Sequence, residues 1–309
     1  MSFDIDTGYA SASGRKSVNE DFCAALLPEA SELAMGCILA IADGLSVGGM
    51  GKEAAQTTVT SLVRDYFGTP PSWETREALG RIITAQNRWL HGVNKRRAPA
   101  LGLTTLTALV LKGSAYTVAH VGDTRAYLLR GGVLTQLTQD HVADHPDMQN
   151  QLLRSVGAQD HIVVDYIQGE MQAGDVFILL SDGVHRHVPL LQLQNLSVNV
   201  GVQEASKRLL DAALIAGATD NLTAMVARVG VLQMPYARSV SLTSDVARDA
   251  PSGFAKDKSH ISQPSNSESI GSRNAAPPMS EVTQTSCTWP LGVSLALNVV
   301  LVAWLVWFR

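Results

Sequence analysis

Two short apolar runs, each stopping on Asp-Gly, constrain this chain more than any other feature. Ile38 to Ala42 is unbroken and ends on Asp43-Gly44, and Val176 to Leu180 passes through Ser181 to Asp182-Gly183. A continuous apolar run of this length, closed by turn residues, reads as a buried strand. A third acid, Asp220, stands just before Asn221-Leu222-Thr223-Ala224-Met225-Val226, another strand-like run. A single Asp-Gly is an ordinary turn former. Its recurrence sets acids at the ends of separate buried strands, which suggests a shared metal site. Gly44 adds a flexible backbone position whose carbonyl is open to a ligand.

The rest of the chain is read around these runs. Strands are expected over Asp4–Ala12 and Phe22–Leu27, and helices over Lys52–Tyr66 and Trp73–Asn94, where apolar residues recur at helical spacing. Gly68 and Pro70-Pro71 separate the helices. Thr104–Leu111, Ala115–His120, Arg125–Leu129 and Val133–Leu137 follow as short runs. They are separated by Gly113-Ser114, Gly122-Asp123 and Gly131-Gly132, which reads as a meander of hairpins. Leu152–Val156 is read as a short helix, Ile162–Ile167 as a strand, Val202–Ile215 as a helix and Leu222–Val229 as the last strand. This order indicates an α+β layered fold. Gly48-Gly49-Met50-Gly51-Lys52 resembles a phosphate loop only superficially, because Glu53 stands where Ser or Thr should follow the lysine.

With 46% hydrophobic residues in 309, the chain can bury a sizeable core, and its net charge of −4 gives no reason to expect nucleic acid. Cys23, Cys37 and Cys287 show neither a disulfide framework nor metal spacing, as in a reducing compartment. Three regions are expected: a globular part over 1–235, a disordered linker over 236–288 rich in Ser, Pro, Asn and Thr, and a transmembrane helix over 289–309. Leu291 to Phe308 carries no charge over eighteen residues. As a helix it would be about 27 Å long, close to the hydrocarbon thickness. Trp289 lies at one end and Trp304 and Trp307 at the other, where interfacial aromatics belong. No secretory signal is visible, so the expectation is a single pass through the inner membrane with the globular part in the cytoplasm.

Acids from separate strands, with a glycine carbonyl, make an all-oxygen site suited to Mg²⁺ or Mn²⁺ rather than zinc. Two such ions can activate water and clamp a phosphoryl group for in-line attack. At this point the residues resemble the metal-dependent protein phosphatases of the protein phosphatase 2C type. The likeness runs from Gly14 to about Val229. It rests on Asn19-Glu20-Asp21, Ala42-Asp43-Gly44, Gly102-Leu103-Thr104-Thr105-Leu106-Thr107, Val121-Gly122-Asp123-Thr124-Arg125-Ala126-Tyr127-Leu128, Thr138-Gln139-Asp140-His141, Ser181-Asp182-Gly183 and Asp220-Asn221, in that order.

The resemblance implies a four-layer αββα sandwich, two antiparallel sheets flanked by helices, and roles for the matching positions. Asp43 would bridge two Mn²⁺ or Mg²⁺ ions. Asp182 and Asp220 would complete one shell, and the Gly44 carbonyl would bind the other ion. Glu20 would act on that ion through water, with Asp21 in support. Asp140 would join Asp182 at a possible third, weaker ion. Asp123 and Arg125 would order a turn. Lys16 replaces the family's usual phosphate-gripping arginine, with Arg15 beside it, and keeps the charge without the bidentate fork. Leu45 stands where some members carry a histidine that protonates the leaving group, a task left to water or to a group such as His141. The segment between Asp140 and Asp182 is short, which implies a reduced flap. His141, His145, His185 and His187 lack the arrangement of a zinc site and are read as surface or substrate-proximal.

The expected function is a membrane-tethered phosphatase acting on phosphoserine and phosphothreonine in proteins, the products of a serine/threonine kinase. A catalytically silent phosphoprotein-binding module is the competing reading. Lys16 and Leu45 favour it, and the complete set of acids opposes it.

Overall fold

The computed structural model describes residues 4–29, 31–97, 99, 101–143 and 151–230. The expected linker and apolar C-terminal segment lie outside the described residues, as does His145. Among the described residues no helix is long and apolar enough to cross a membrane. They all fall in one compact unit, Met1–Val240.

Two five-stranded antiparallel sheets form the centre. One takes β1 (Ile5–Ala12), β12 (Leu222–Val229), β11 (Val176–Leu180), β8 (Arg125–Arg130) and β9 (Val133–Gln136), in that spatial order. The other takes β10 (Asp165–Glu170), β7 (Ala115–Val121), β6 (Leu106–Lys112), β3 (Cys37–Ala42) and β2 (Phe22–Leu26). A two-stranded ribbon, β4 (Gly44–Val47) with β5 (Leu101–Thr104), extends beyond the end of β3. Helices α1 (Gly51–Phe67) and α2 (Thr75–Arg97) cover the second sheet. Helices α3 (Asp182–His185), α4 (Leu190–Ser197) and α5 (Val202–Ile215) cover the first.

Strand alternation explains the layers. On β3, Cys37, Leu39 and Ile41 meet Phe177 and Leu179 of β11 and Met225, Ala227 and Val229 of β12 between the sheets. Ile38, Ala40 and Ala42 point the other way, onto α1 and α2 with Leu62, Tyr66, Leu79 and Ile83. On β11, Val176, Ile178 and Leu180 likewise face Leu209 and Ala213 of α5. Both faces of these strands are covered, which is why their sequences are unbroken apolar runs. The result is the expected sandwich of two antiparallel sheets between helices.

Several elements differ from the sequence reading. Thr104–Leu111 is two strands, because the chain leaves the ribbon at Thr104 and enters the large sheet at Leu106; between them the Thr105 N–H donates to the Asp43 carbonyl (2.9 Å). Gly122-Asp123 is not a hairpin turn but a crossing from β7 in one sheet to β8 in the other. Leu152–Val156 is not helical: Leu152 bridges Val142, and Val156 exchanges backbone hydrogen bonds with Thr104. The strand expected over Ile162–Ile167 begins at Asp165, where pairing with His120 starts, and runs to Glu170. α3 and α4 were not anticipated.

Candidate active site

The alternation that builds the inter-sheet core also builds the site. Where the apolar residues run out at one end of that layer, the next positions of the same parity are polar: Asp43 beyond Ile41, Ser181 beyond Leu179, Thr223 and Asn221 before Met225, and Asp21 before Cys23. The Ser181 hydroxyl donates to Asp21 Oδ2 (2.8 Å) and accepts the Thr223 N–H (2.9 Å), tying the two sheets together. Asp43 is fixed by its backbone. Its N–H donates to Thr105 Oγ1 (2.8 Å), and its carbonyl also accepts from the Thr104 hydroxyl (3.0 Å). Its carboxylate is left to face the other acids.

Asp220 and Asn221 are clamped by two glycines. A Cβ on Gly14, at φ +61, would come 2.0 Å from the Asp220 carbonyl oxygen, and one on Gly183 would come 2.0 Å from that of Asn221. No other residue permits these approaches. The buried Asn221 side chain accepts the Glu20 N–H (2.9 Å) and donates to the carbonyls of Ser13 and Val18 (both 3.0 Å), so it holds the loop carrying Lys16 and Glu20. The Glu20 carboxylate accepts from the Ser46 hydroxyl, which in turn accepts the Gly51 N–H (2.7 Å) at the start of α1. Gly44 opens β4 opposite Thr104, and a Cβ there would meet the Gly51 carbonyl at 2.3 Å.

The electrostatics follow from crowding acids at a water-poor end. Burial pushes the Asp43 carboxyl well above the usual carboxylate range, and the fields of Asp21, Asp182, Asp123 and Asp220 push it further. Asp21 is raised to about 6, first by burial and then by Asp182, against its hydrogen bonds to Ser181 and Thr223. Its second oxygen, Oδ1, is buried with no hydrogen-bond partner among the described residues. Asp123 is also raised to about 6, by burial and by Asp182 and Asp140, with Arg186 opposing. Lys16 is drawn down by partial burial, yet its bond to Asp220 and the fields of Asp220, Asp43 and Asp182 hold it above its ordinary value.

Of the residues singled out from sequence, Asp21, Asp43, Gly44, Asp182, Asp220, Glu20 and Lys16 are brought to this one end. Asp140 is held by Arg125 through Nε (2.9 Å) and Nη2 (2.8 Å) and acts on Asp123 rather than on Asp43. Asp123, read from sequence as a turn residue, instead faces the cluster. Arg186 bridges it (2.7 Å) to Asp182 (3.3 Å). Its sequence signal was an acid just past the end of a buried strand, two residues after Val121, close to the pattern at Asp43. Arg186 and Ser46 carried no such signal.

Of the histidines read from sequence as surface or substrate-proximal, His141 and His185 are buried and His187 is half-buried. His141 is buried: its Nδ1 accepts the Gly122 N–H (3.1 Å), which leaves Nε2–H to donate to Asp165 (3.0 Å). His185 is buried and donates from Nε2 to the Asp123 carbonyl (2.9 Å); burial lowers it to about 4. His187, half-buried, bonds the Gly183 carbonyl (3.0 Å). Packing claims all three rings, and His141 has no nitrogen to spare for acid catalysis.

Among the described residues no three acids, histidines or cysteines close on a single point. Each outer carboxylate is drawn aside to a neighbour: Asp220 to Lys16, Glu20 to Ser46, Asp182 to Arg186. What remains is repulsion concentrated on Asp43 and an unpartnered oxygen on Asp21. An acid held up by the fields of its neighbours is relieved by a cation, and donors that are all oxygen suit a hard one.

The protein phosphatase 2C family model matches residues 10–226. Among curated proteins, the serine/threonine protein phosphatase PstP of Mycobacterium tuberculosis is 29% identical over 207 residues, 62% of this chain. The matched part spans only 40% of the length of PstP. The serine/threonine phosphatase Stp of Listeria innocua is 26% identical over 218 residues, covering 63% of this chain and 86% of Stp. Among solved structures, the catalytic domain of PstP in complex with two manganese ions aligns with a TM-score of 0.65 at 27% identity, covering 74% of this chain and all of that one.

Proposed function

Because this chain belongs to the protein phosphatase 2C family, we propose that it is a metal-dependent protein phosphatase acting on phosphoserine and phosphothreonine. The observation that carries the proposal is the convergence of Asp21, Asp43, Asp123, Asp182 and Asp220 at one end of the inter-sheet layer, where burial and the neighbouring acids raise Asp43, Asp21 and Asp123. Two Mn²⁺ or Mg²⁺ ions held there would activate water and neutralise charge on the phosphoryl group.

The protein's own part is positioning. Asp43, fixed through Thr104 and Thr105, would be shared between the ions. Asp182 and Asp220, set by the glycine-clamped Asp220-Asn221 peptide, would complete one shell. The Gly44 carbonyl and Glu20, held by Ser46, would serve the other, with Asp21 oriented by Ser181. A third, weaker ion fits Asp182 with Asp123, which already share Arg186, better than Asp182 with Asp140, whose carboxylate is closed by Arg125. Lys16, half exposed beside Asp220, would turn to the substrate phosphate once cations relieve the acids. Leu45 carries no proton and His141 has none free, so the departing side-chain oxygen takes its proton from water. The apolar segment over 289–309 would tether the enzyme to the inner membrane with its site on the cytoplasmic side, where kinase products are its substrates.

One experiment tests both halves. Cells producing the full chain are fractionated, and each fraction is assayed with p-nitrophenyl phosphate, with and without Mn²⁺. Manganese-dependent hydrolysis in the membrane pellet is expected. Activity confined to the supernatant contradicts the tether. No manganese-dependent hydrolysis in either fraction, with the protein present and folded, favours the silent binding module.

A further inference from the structure

We propose that the basic end of α2, with the first turn of α1, is a recognition surface for acidic residues flanking the phosphorylated side chain. The inference rests on the phosphatase reading above and names the substrate class it would prefer.

Lys95, Arg96 and Arg97 close α2 and are all exposed, as is Lys52 on α1. A helix end gains from a cation or two, and Arg97 supplies that while meeting Glu53 (3.5 Å) and Met50 Sδ (3.7 Å) at the start of α1. Lys52, Lys95 and Arg96 have no acidic partner among the described residues.

This surface is joined to the site by rigid parts. Asn94, one residue before the basic run, is buried and fixes β5 by donating to the Gly102 carbonyl (2.9 Å) and accepting the Gly102 N–H (3.1 Å). β5 then runs back along β4 from Leu101 to Thr104, whose hydroxyl holds the Asp43 carbonyl. Three residue steps of strand span about 10 Å. An extended peptide with its phosphate at Asp43 therefore lays residues about three to five positions away over the basic end, at about 3.3 Å per residue. Arg125 and Arg186, near the acids of the site, are each engaged with acids. Lys52, Lys95 and Arg96, exposed and unpaired by acids among the described residues, are therefore what would draw an acid-flanked sequence into register.

The test uses full-length protein in detergent and phosphopeptides carrying Glu or Gln three to five positions before or after phosphothreonine. With Mn²⁺ at low salt, kcat/KM for the Glu peptide on one side should exceed that for its Gln counterpart by about tenfold, as a few exposed pairs add up. The preference should shrink at high salt. K95Q/R96Q should weaken it and K95E/R96E reverse it, with p-nitrophenyl phosphate turnover and Tm unchanged. Fluorescence anisotropy of the same peptides on metal-free protein reads the surface without turnover. A binding preference without hydrolysis keeps the surface and sinks the phosphatase reading. Hydrolysis indifferent to flanking charge on both sides, or substitutions that change only adsorption to phosphatidylglycerol vesicles, overturns the surface.

Discussion

Asp43→Asn is expected to remove phosphate release almost completely while making the metal-free protein more heat-stable. Both effects come from one carboxylate. It is the group on which the other acids act, and losing a shared ligand should cost more than the roughly hundredfold that outer-shell partners cost. The gain in stability follows from the sign of the shift. Asp43 is raised by burial and by Asp21, Asp182, Asp123 and Asp220, so the folded state binds its proton more tightly than the unfolded state. Its contribution to stability is fully present below the ordinary carboxylate range and is lost as pH rises through the raised value. At pH 7.5 the wild type therefore carries the cost of a buried acid among other acids, and the amide does not. The advantage of the variant should fade as pH falls towards about 4. Mn²⁺ should reverse the ranking. At a hundred times its Kd it adds about 2.7 kcal/mol to the wild type, which is about 5–11 °C for a domain of this size. Thermal melts of both proteins at several pH values, with Mn²⁺ and with chelator, read all of this. A variant that is no more stable without metal, or that Mn²⁺ stabilises as much as the wild type, contradicts the role given to Asp43.

Asn221→Ala should give the second large effect, through the fold and the site together. The side chain is buried and makes three hydrogen bonds to the loop that carries Lys16 and Glu20. Alanine leaves the Glu20 N–H and the Val18 carbonyl without their Asn221 partner, and the Ser13 carbonyl with the Lys16 N–H (3.1 Å) alone. Each group left unpaired costs about 1–3 kcal/mol if it stays dry, less where the loop opens to water. A net loss of about 2–4 kcal/mol would lower Tm by about 4–16 °C. Phosphate release should fall by more than about tenfold at temperatures where the variant is still folded, because Glu20 and Lys16 are no longer held. Asn221→Asp restores the acceptor for Glu20 but not the donors, and it adds another negative charge. Its Tm should also fall, and Mn²⁺ should recover more of it than in the alanine variant. Full activity in folded Asn221→Ala would mean that the loop is held by something else.

What the sequence disclosed, and what it hid, has a physical pattern. Runs such as Ile38–Ala42 and Val176–Leu180 were legible because both their faces are covered, so every position is apolar. α5 and β12 were legible over their whole lengths for similar reasons: strong periodicity in one, continuous burial in the other. The ribbon of β4 and β5 was not, because it joins four-residue segments far apart in the chain and its stability comes from α1 and Asn94. Leu152–Val156 has helical spacing but is pulled into bridges with Val142 and Thr104. At the site, acids following buried strands were visible as a pattern. Asp123 fits the same pattern and was misread, because Gly-Asp between two strands looks like a hairpin turn. Nothing local says that the chain crosses between sheets there. The burial of His141 and His185 was hidden in the same way, since their partners, Gly122, Asp165 and Asp123, come from elsewhere in the fold.

On this reading, oxygens from distant parts of the chain gather around divalent cations at one end of the inter-sheet layer. Crystals grown with Mn²⁺ and measured at the manganese absorption edge test it most directly. Two strong anomalous peaks are expected, both within coordination distance of Asp43 and one of them also touching Asp182 and Asp220, with Lys16 released from Asp220. Manganese bound elsewhere, or peaks at this end that leave Asp43 untouched, would contradict it.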